Sequence, residues 1–208
     1  MLNYIFQSVV TLGFFYLTYF FIIRNEKSFV FNRMYILFAL VASVVLPLIS
    51  IPALYNGKII PAMRFYMDEV VVTFENTVTQ HAELWQNKWY IVYALVVGMM
   101  LYQLIWQFMQ IQKIKSSHKT SKCNGYTLVH TSGKLTHFSF FNQVFINERI
   151  AENQDDMHRI VKHEEAHVRQ WHSVDVMLLE ILKIAFWFNP FVWLFKPFML
   201  NNHEYLAD

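Results

Sequence analysis

The residues in this sequence best suited to chemistry are His163-Glu164-Glu165-Ala166-His167. On a helix, two histidines four apart project from the same face. Presented that way, the two imidazoles can ligate one zinc ion through ring nitrogens. Glu164 would stand beside that ion without being obliged to bind it, which is the position of a general base acting on an attacking water. A structural zinc site is closed by four protein ligands and needs no base, so Glu164 points to catalysis. Catalytic zinc usually takes three protein ligands. The last residues, His203-Glu204-Tyr205-Leu206-Ala207-Asp208, offer Glu204 as the third. Asp208 follows one helical turn later on the same face, where it could accept a hydrogen bond from a ligand histidine. The plainer reading of this tail is a solvated amphipathic end. His203 is either a transition-state or substrate contact or a bystander. His158 and His172 lie five residues outside the motif, about 140° around the helix, so both are expected off the metal face.

The pentapeptide, a hydrophobic stretch with Phe188-Asn189-Pro190, and then Glu204-x-x-Ala207-Asp208 together resemble the BlaR/MecR family of integral-membrane zinc metallopeptidases. More distantly, the pattern is similar to the HtpX-type and CAAX-prenyl-type membrane zinc peptidases, which share an H-E-x-x-H plus E-x-x-x-D arrangement. The resemblance implies that His163, His167 and Glu204 are zinc ligands and Glu164 the catalytic base. It also implies a signal-transducing endopeptidase that cleaves a cytoplasmic regulator, repressor-like in kind, or itself. BlaR/MecR proteins continue into another span and an extracellular penicillin-binding sensor. This sequence stops at Asp208 and has no Ser-x-x-Lys acylation motif, so sensing of β-lactams is not expected of it, whether it is a trimmed chain or a short member. Two other functions stay open: a membrane signalling scaffold with a non-catalytic metal site, and a quality-control peptidase of broad specificity.

These residues must be positioned by a chain built largely for lipid. Of 208 residues, 55% are hydrophobic, 18% aromatic and only 15% charged, against roughly 25% charged in a soluble domain. A formal charge of +2, with basic residues scattered through loops and forming no stripe, is too small to suggest a nucleic-acid partner. The single cysteine, Cys123, excludes an internal disulfide. Residues 2–23, 34–53 and 89–111 are apolar runs long enough to span a bilayer core of about 30 Å as helices. The first lacks the basic n-region and cleavage site of a signal peptide.

Lysine and arginine distribution orients the spans. Arg24, Lys27 and Arg33 follow the first span, and Lys113, Lys115, Lys119, Lys122, Lys134, Arg149, Arg159, Lys162 and Arg169 follow the third. Between the second and third, Lys58, Arg64 and Lys88 are offset by Asp68, Glu69, Glu75 and Glu83. The positive-inside rule therefore places the N-terminus and residues 54–88 outside the bacterial inner membrane and the metal motif in the cytoplasm.

After the third span, residues 112–122 read as the end of its helix and a linker. Residues 126–131 alternate as a strand, Ser132-Gly133-Lys134 as a turn, and residues 138–146 as one or two strands broken at Asn142. Asp155 or Asp156 is a candidate N-cap for the motif helix. Residues 138–146 are either an edge that takes an extended peptide substrate or a buried sheet.

The apolar run 174–200 poses a geometric problem. A single crossing would strand Glu204 about 30 Å from the histidines. Asn189-Pro190 offers a break, because proline removes a donor and pushes its predecessor out of the helical region. The first piece, 174–188, would be about 22 Å long, too short to span comfortably. A helical hairpin lying on or in the membrane is predicted, which returns Glu204 to the metal.

The expected fold is thus a mainly α membrane protein. Residues 1–111 form a three-helix membrane region, and residues 112–208 a small cytoplasmic α+β zinc-peptidase domain that includes the hairpin 174–200. The implied cofactor is Zn2+. The implied partners are the lipid bilayer, a protein or peptide substrate, and a second copy of the chain.

Overall fold

The computed structural model describes residues 2–49, 77–123, 125–132, 136–147 and 154–208, with side chains of the third helix from residue 88. Helix α1 (Leu2–Thr18) runs on through a π-turn at Tyr19–Ile23. Helix α2 (Phe29–Val45) ends in a 3-10 turn, Leu46–Leu48. Helix α3 spans Thr77–Ser117. Strands β1 (Lys119–Cys123), β2 (Tyr126–Thr131), β3 (Phe138–Phe140) and β4 (Gln143–Asn147) follow, then helices α4 (Gln154–Arg169), α5 (His172–Ala185) and α6 (Pro190–Ala207).

Among the described residues, three helical stretches are long and apolar enough to cross a membrane: Asn3–Ile23, Phe29–Leu48 and Lys88–Ser117. The first two pack against α5 and α6 around a shared core of Leu12, Tyr19, Ile36, Leu40, Leu179, Val192, Phe195 and Met199. Aromatic rings dominate that seam. Tyr16 meets Phe195 edge-on at 5.4 Å between centroids, and Tyr19 meets Phe198 at 5.2 Å. Gly13 permits the approach of α1 to α6, since a Cβ there would lie 2.8 Å from the Phe191 ring. The outward faces carry exposed rings such as Phe6, Phe14, Phe21 and Phe38, the surface a lipid-facing helix presents.

Several boundaries differ from expectation. The second helix starts at Phe29, not residue 34, and takes in Arg33. That charge is tolerated because Arg33 Nε pairs with Asp175 Oδ2 at 2.7 Å, while Ser28 caps the new start by accepting from Phe31 N–H. Its expected end, residues 50–53, and the segment 54–76 lie outside the described residues, as do Gly133 and Lys134. Residues 77–88, assigned to the outer segment, belong to α3. At about 1.5 Å per residue, the 41 residues of α3 reach well beyond one bilayer core. Residues 119–122, read as part of a linker, belong to strand β1. Its KTSKC sequence has no apolar alternation, because both faces of this edge strand are largely exposed. Asp155 and Asp156 lie in the first turn of α4 and do not cap it. Carboxylates there still oppose the helix dipole favourably.

The sheet order is β1-β2-β4-β3. β1 and β2 form an antiparallel hairpin, β2 and β4 pair in parallel, and β3 returns antiparallel along β4. All five residues of β4 are buried. Phe138 and Phe145, directly opposed across β3 and β4, stack at 4.4 Å. The break at Asn142 is where it was expected, in the turn 141–142 between the two strands.

The run 174–200 does turn back. Asn189 is extended (φ −89°, ψ 110°), its side chain accepts from Phe191 N–H, and Pro190 opens α6 at a position whose N–H needs no partner. α5 ends at Ala185, and the Trp187 carbonyl just beyond it accepts from Trp193 Nε1 at 3.0 Å. Glu180 pairs with Lys183 on its own helix and with Lys196 on α6, so one carboxylate serves both lysines of the hairpin. Glu204 thereby returns to the end of the hairpin from which α5 departs.

Candidate metal centre

Helix α4 presents His163 and His167 on one face, as their spacing requires. Their Nε2 atoms are 3.2 Å apart. From α6, Glu204 Oε2 stands 3.5 Å from His163 Nε2, and Oε1 stands 3.9 Å from His167 Nε2. One donor atom from each residue lies within 4.8 Å of the others. Donors about 2.1 Å from a tetrahedral ion stand about 3.4 Å apart, so the three groups fit a zinc ion in both chemistry and spacing. Glu204 is the exposed member, its side chain 61% accessible.

Glu164 is buried beside this cluster. Burial pushes its carboxyl above the usual range, against a hydrogen bond from Ser139 and the nearby His163, which both pull it down. A cleft of about 320 Å³ between β3 and α6 has Ser139, Phe140, Glu164, His167 and Glu204 in its walls. A second hollow, beyond His163 and Glu164, is bounded by Arg159, Ala207 and Asp208. The two meet at Glu164. β3 is a sheet edge bordering the first cleft.

Asp208 reaches His163, with Oδ1 3.0 Å from Nδ1. His203 lines the cleft between β3 and α6 but is largely covered. Its ring is 2% exposed and its Nε2 bonds Asp175 Oδ2 at 2.9 Å. His158 is exposed on α4, off the metal face. His172 differs from expectation: its Nδ1 lies 2.7 Å from His167 Nδ1. Extending a helical wheel from His167 fails because α4 ends at Arg169 and Trp171 takes a left-handed conformation (φ 57°) before α5 begins. That turn swings His172 back beneath the motif.

A buried polar group thus underlies the site that sequence reasoning missed. Arg33 pairs with Asp175 and donates from Nη2 to the Gln170 carbonyl at 2.7 Å. Asp175 holds His203, and the His203 and His172 rings stack in parallel at 4.0 Å. Hydrogen bonds from His203 and Arg33 hold the Asp175 carboxyl below its ordinary value although burial opposes them. Burial first, then the neighbouring cationic and imidazole groups, pulls His172 down to about 3. Gln170 Nε2 also donates to the Leu206 carbonyl at 2.8 Å, tying the α4–α5 turn to the end of α6. No local pattern signals this group, since Arg33 and Asp175 stand on different helices far apart in the chain.

Residues 139–208 match the model of the family described as BlaR1 peptidase M56. The matched stretch starts in β3 and contains α4, α5 and α6, and with them every residue of the cluster. No curated protein matches the chain. The family match, with three helices apolar enough to cross a membrane, supports a BlaR/MecR-type membrane metallopeptidase.

Proposed function

We propose that this chain is a membrane-bound zinc endopeptidase in which His163, His167 and Glu204 hold the metal and Glu164 is the general base. The observation that carries the reading is the spacing of the three donors, which approximates the edges of a zinc coordination tetrahedron. When bound, zinc supplies a Lewis acid that polarises a carbonyl and brings a water's pKa towards neutrality. The chain's own residues do the rest. Glu164 takes a proton from the attacking water as its oxygen bonds to the peptide carbonyl carbon. It then returns that proton to the departing amine nitrogen as the C–N bond breaks, leaving a carboxylic acid and an amine; the acid's remaining proton passes to the amine, giving carboxylate and ammonium. Burial holds its carboxyl up towards the pH at which such a shuttle works best. Asp208 accepts from His163 Nδ1 and thereby keeps Nε2 turned to the metal.

An extended peptide laid along β3 would pass directly over Glu164, and a sheet edge supplies the backbone pairing that such a substrate needs. The lysine and arginine bias supports a cytoplasmic site, with the N-terminus outside a bacterial inner membrane. A substrate there is a cytoplasmic regulator of repressor type or a second copy of the chain, which makes cleavage a signalling step. The test is metal content and cleavage together. The purified chain should carry one zinc, and Glu164→Gln should keep the zinc and lose self-cleavage by about 10²–10⁴-fold. Undiminished cleavage in Glu164→Gln, or a chain that holds no zinc, overturns the proposal.

A further inference from the structure

A histidine that binds a metal through Nε2 must carry its proton on Nδ1, and something must accept that proton's hydrogen bond. His163 has Asp208 for this purpose. Among the described residues His167 has no carboxylate in that place. Its Nδ1 faces Nδ1 of His172 at 2.7 Å. Two such nitrogens cannot both donate or both accept, so once His167 donates, His172 must be the acceptor, neutral, with its own proton on Nε2.

We infer that His172 is a positioning residue for the metal, fixing the tautomer and ring angle of His167 as Asp208 fixes those of His163; this rests on the zinc reading above. His172 is built to hold one orientation. It is 4% exposed, opens α5 directly after the left-handed Trp171, and lies flat on His203 at 4.0 Å with 7° between rings. His203 is in turn fixed by Asp175 and, through it, by Arg33. Among the described residues His172 Nε2 is buried without a hydrogen-bond partner. A buried donor left unsatisfied costs about 1–3 kcal/mol, so the ring is not placed there for the sake of that nitrogen. The contact that its placement serves is the one to His167. The two ligand histidines are therefore backed differently, one by an anion and one by a neutral ring.

The experiment compares His172→Leu with His172→Asn in the full chain purified in detergent. The two side chains have nearly the same shape, and the asparagine oxygen falls close to the place of Nδ1. Zinc affinity is measured by chelator competition and the metal geometry by the visible spectrum of the cobalt(II)-loaded protein. His172→Leu should weaken zinc by about 10–100-fold and alter the cobalt bands, while His172→Asn should stay within about threefold of the parent. Equal zinc affinity and equal spectra for the two variants would overturn the role of His172 while leaving the metal site in place. A parent chain that takes up neither metal would overturn the zinc reading and this one with it. Should His172→Leu fail to fold, His172→Asn decides alone: parental affinity and spectrum support the inference, and a loss of about tenfold or more overturns it.

Discussion

His203 Nε2 lies 2.9 Å from Asp175 Oδ2, and this buried bond ties α6 to α5 one residue before Glu204. The same carboxyl oxygen pairs with Arg33, so a side chain from the second apolar helix helps to set where the third donor stands. Asp175→Ala leaves a guanidinium and an imidazole facing each other in a buried space. Removing one partner of a buried ion pair costs about 3–5 kcal/mol, and the variant should lose that much stability in a denaturant titration of the detergent-solubilised chain. It should also bind zinc more weakly, because the turn of α6 that carries Glu204 then loses its side-chain tie to α5. A variant with parental stability would show that the pair contributes little to fixing α5 against α2 and α6.

Glu204 is the most exposed of the three donors and the only one delivered by a different helix. Glu204→Ala should weaken zinc by more than the roughly 10–100-fold that an outer partner costs, with no loss of helix content. Zinc competition in the purified chain reads this directly. Parental affinity would remove Glu204 from the site and leave the two histidines in need of another third ligand.

Much of this site could be read from the chain alone, for reasons that mark where such reading stops. The histidine pair is local: four residues on one helix fix its geometry whatever the rest does. The return of Glu204 followed from Asn189-Pro190, a break with a strong steric cause, joined to the demand that a ligand reach its metal. His172 was out of reach because its placement depends on Trp171 adopting φ 57°. A bulky residue there gives none of the glycine or asparagine signal by which a left-handed turn is recognised. Arg33 was read as a loop charge beside the membrane, since nothing near it in sequence reveals the carboxylate that lets it enter a helix. Strand β1 escaped because an exposed edge strand need not alternate.

The turn at Trp171 is open to test. A left-handed conformation costs a non-glycine residue roughly 1–2 kcal/mol, and here it directs His172 towards His167. Trp171→Gly should keep zinc affinity at the parental level, because glycine adopts that conformation freely. Trp171→Val should weaken both stability and zinc binding, since a β-branched side chain resists positive φ. Trp171 is 67% exposed, so little packing is lost in either variant and the contrast isolates the backbone. Equal behaviour of the two would mean that the turn does not depend on its left-handed residue.

Removing the metal should make the protein acid-sensitive in a defined direction. Burial is the largest cause holding His137, His167 and His172 below the ordinary histidine value, the last at about 3. In the unfolded chain each takes up a proton near pH 6.5. Between that pH and the lower folded values the unfolded state therefore binds more protons, and stability rises with pH across this window and falls as pH drops through it. EDTA-treated protein should lose melting temperature steadily below about pH 6.5. His137 adds to this slope from outside the metal cluster. Its Nδ1 accepts from Asn147 N–H at 3.3 Å, a bond that protonation would break. His137→Asn offers an oxygen in nearly the same place and takes up no proton, so its metal-free melting temperature should fall less steeply with acid than the parent's. A metal-free stability that is flat from pH 7 to 5, or an unchanged slope in His137→Asn, would show that these rings are not held neutral by the fold.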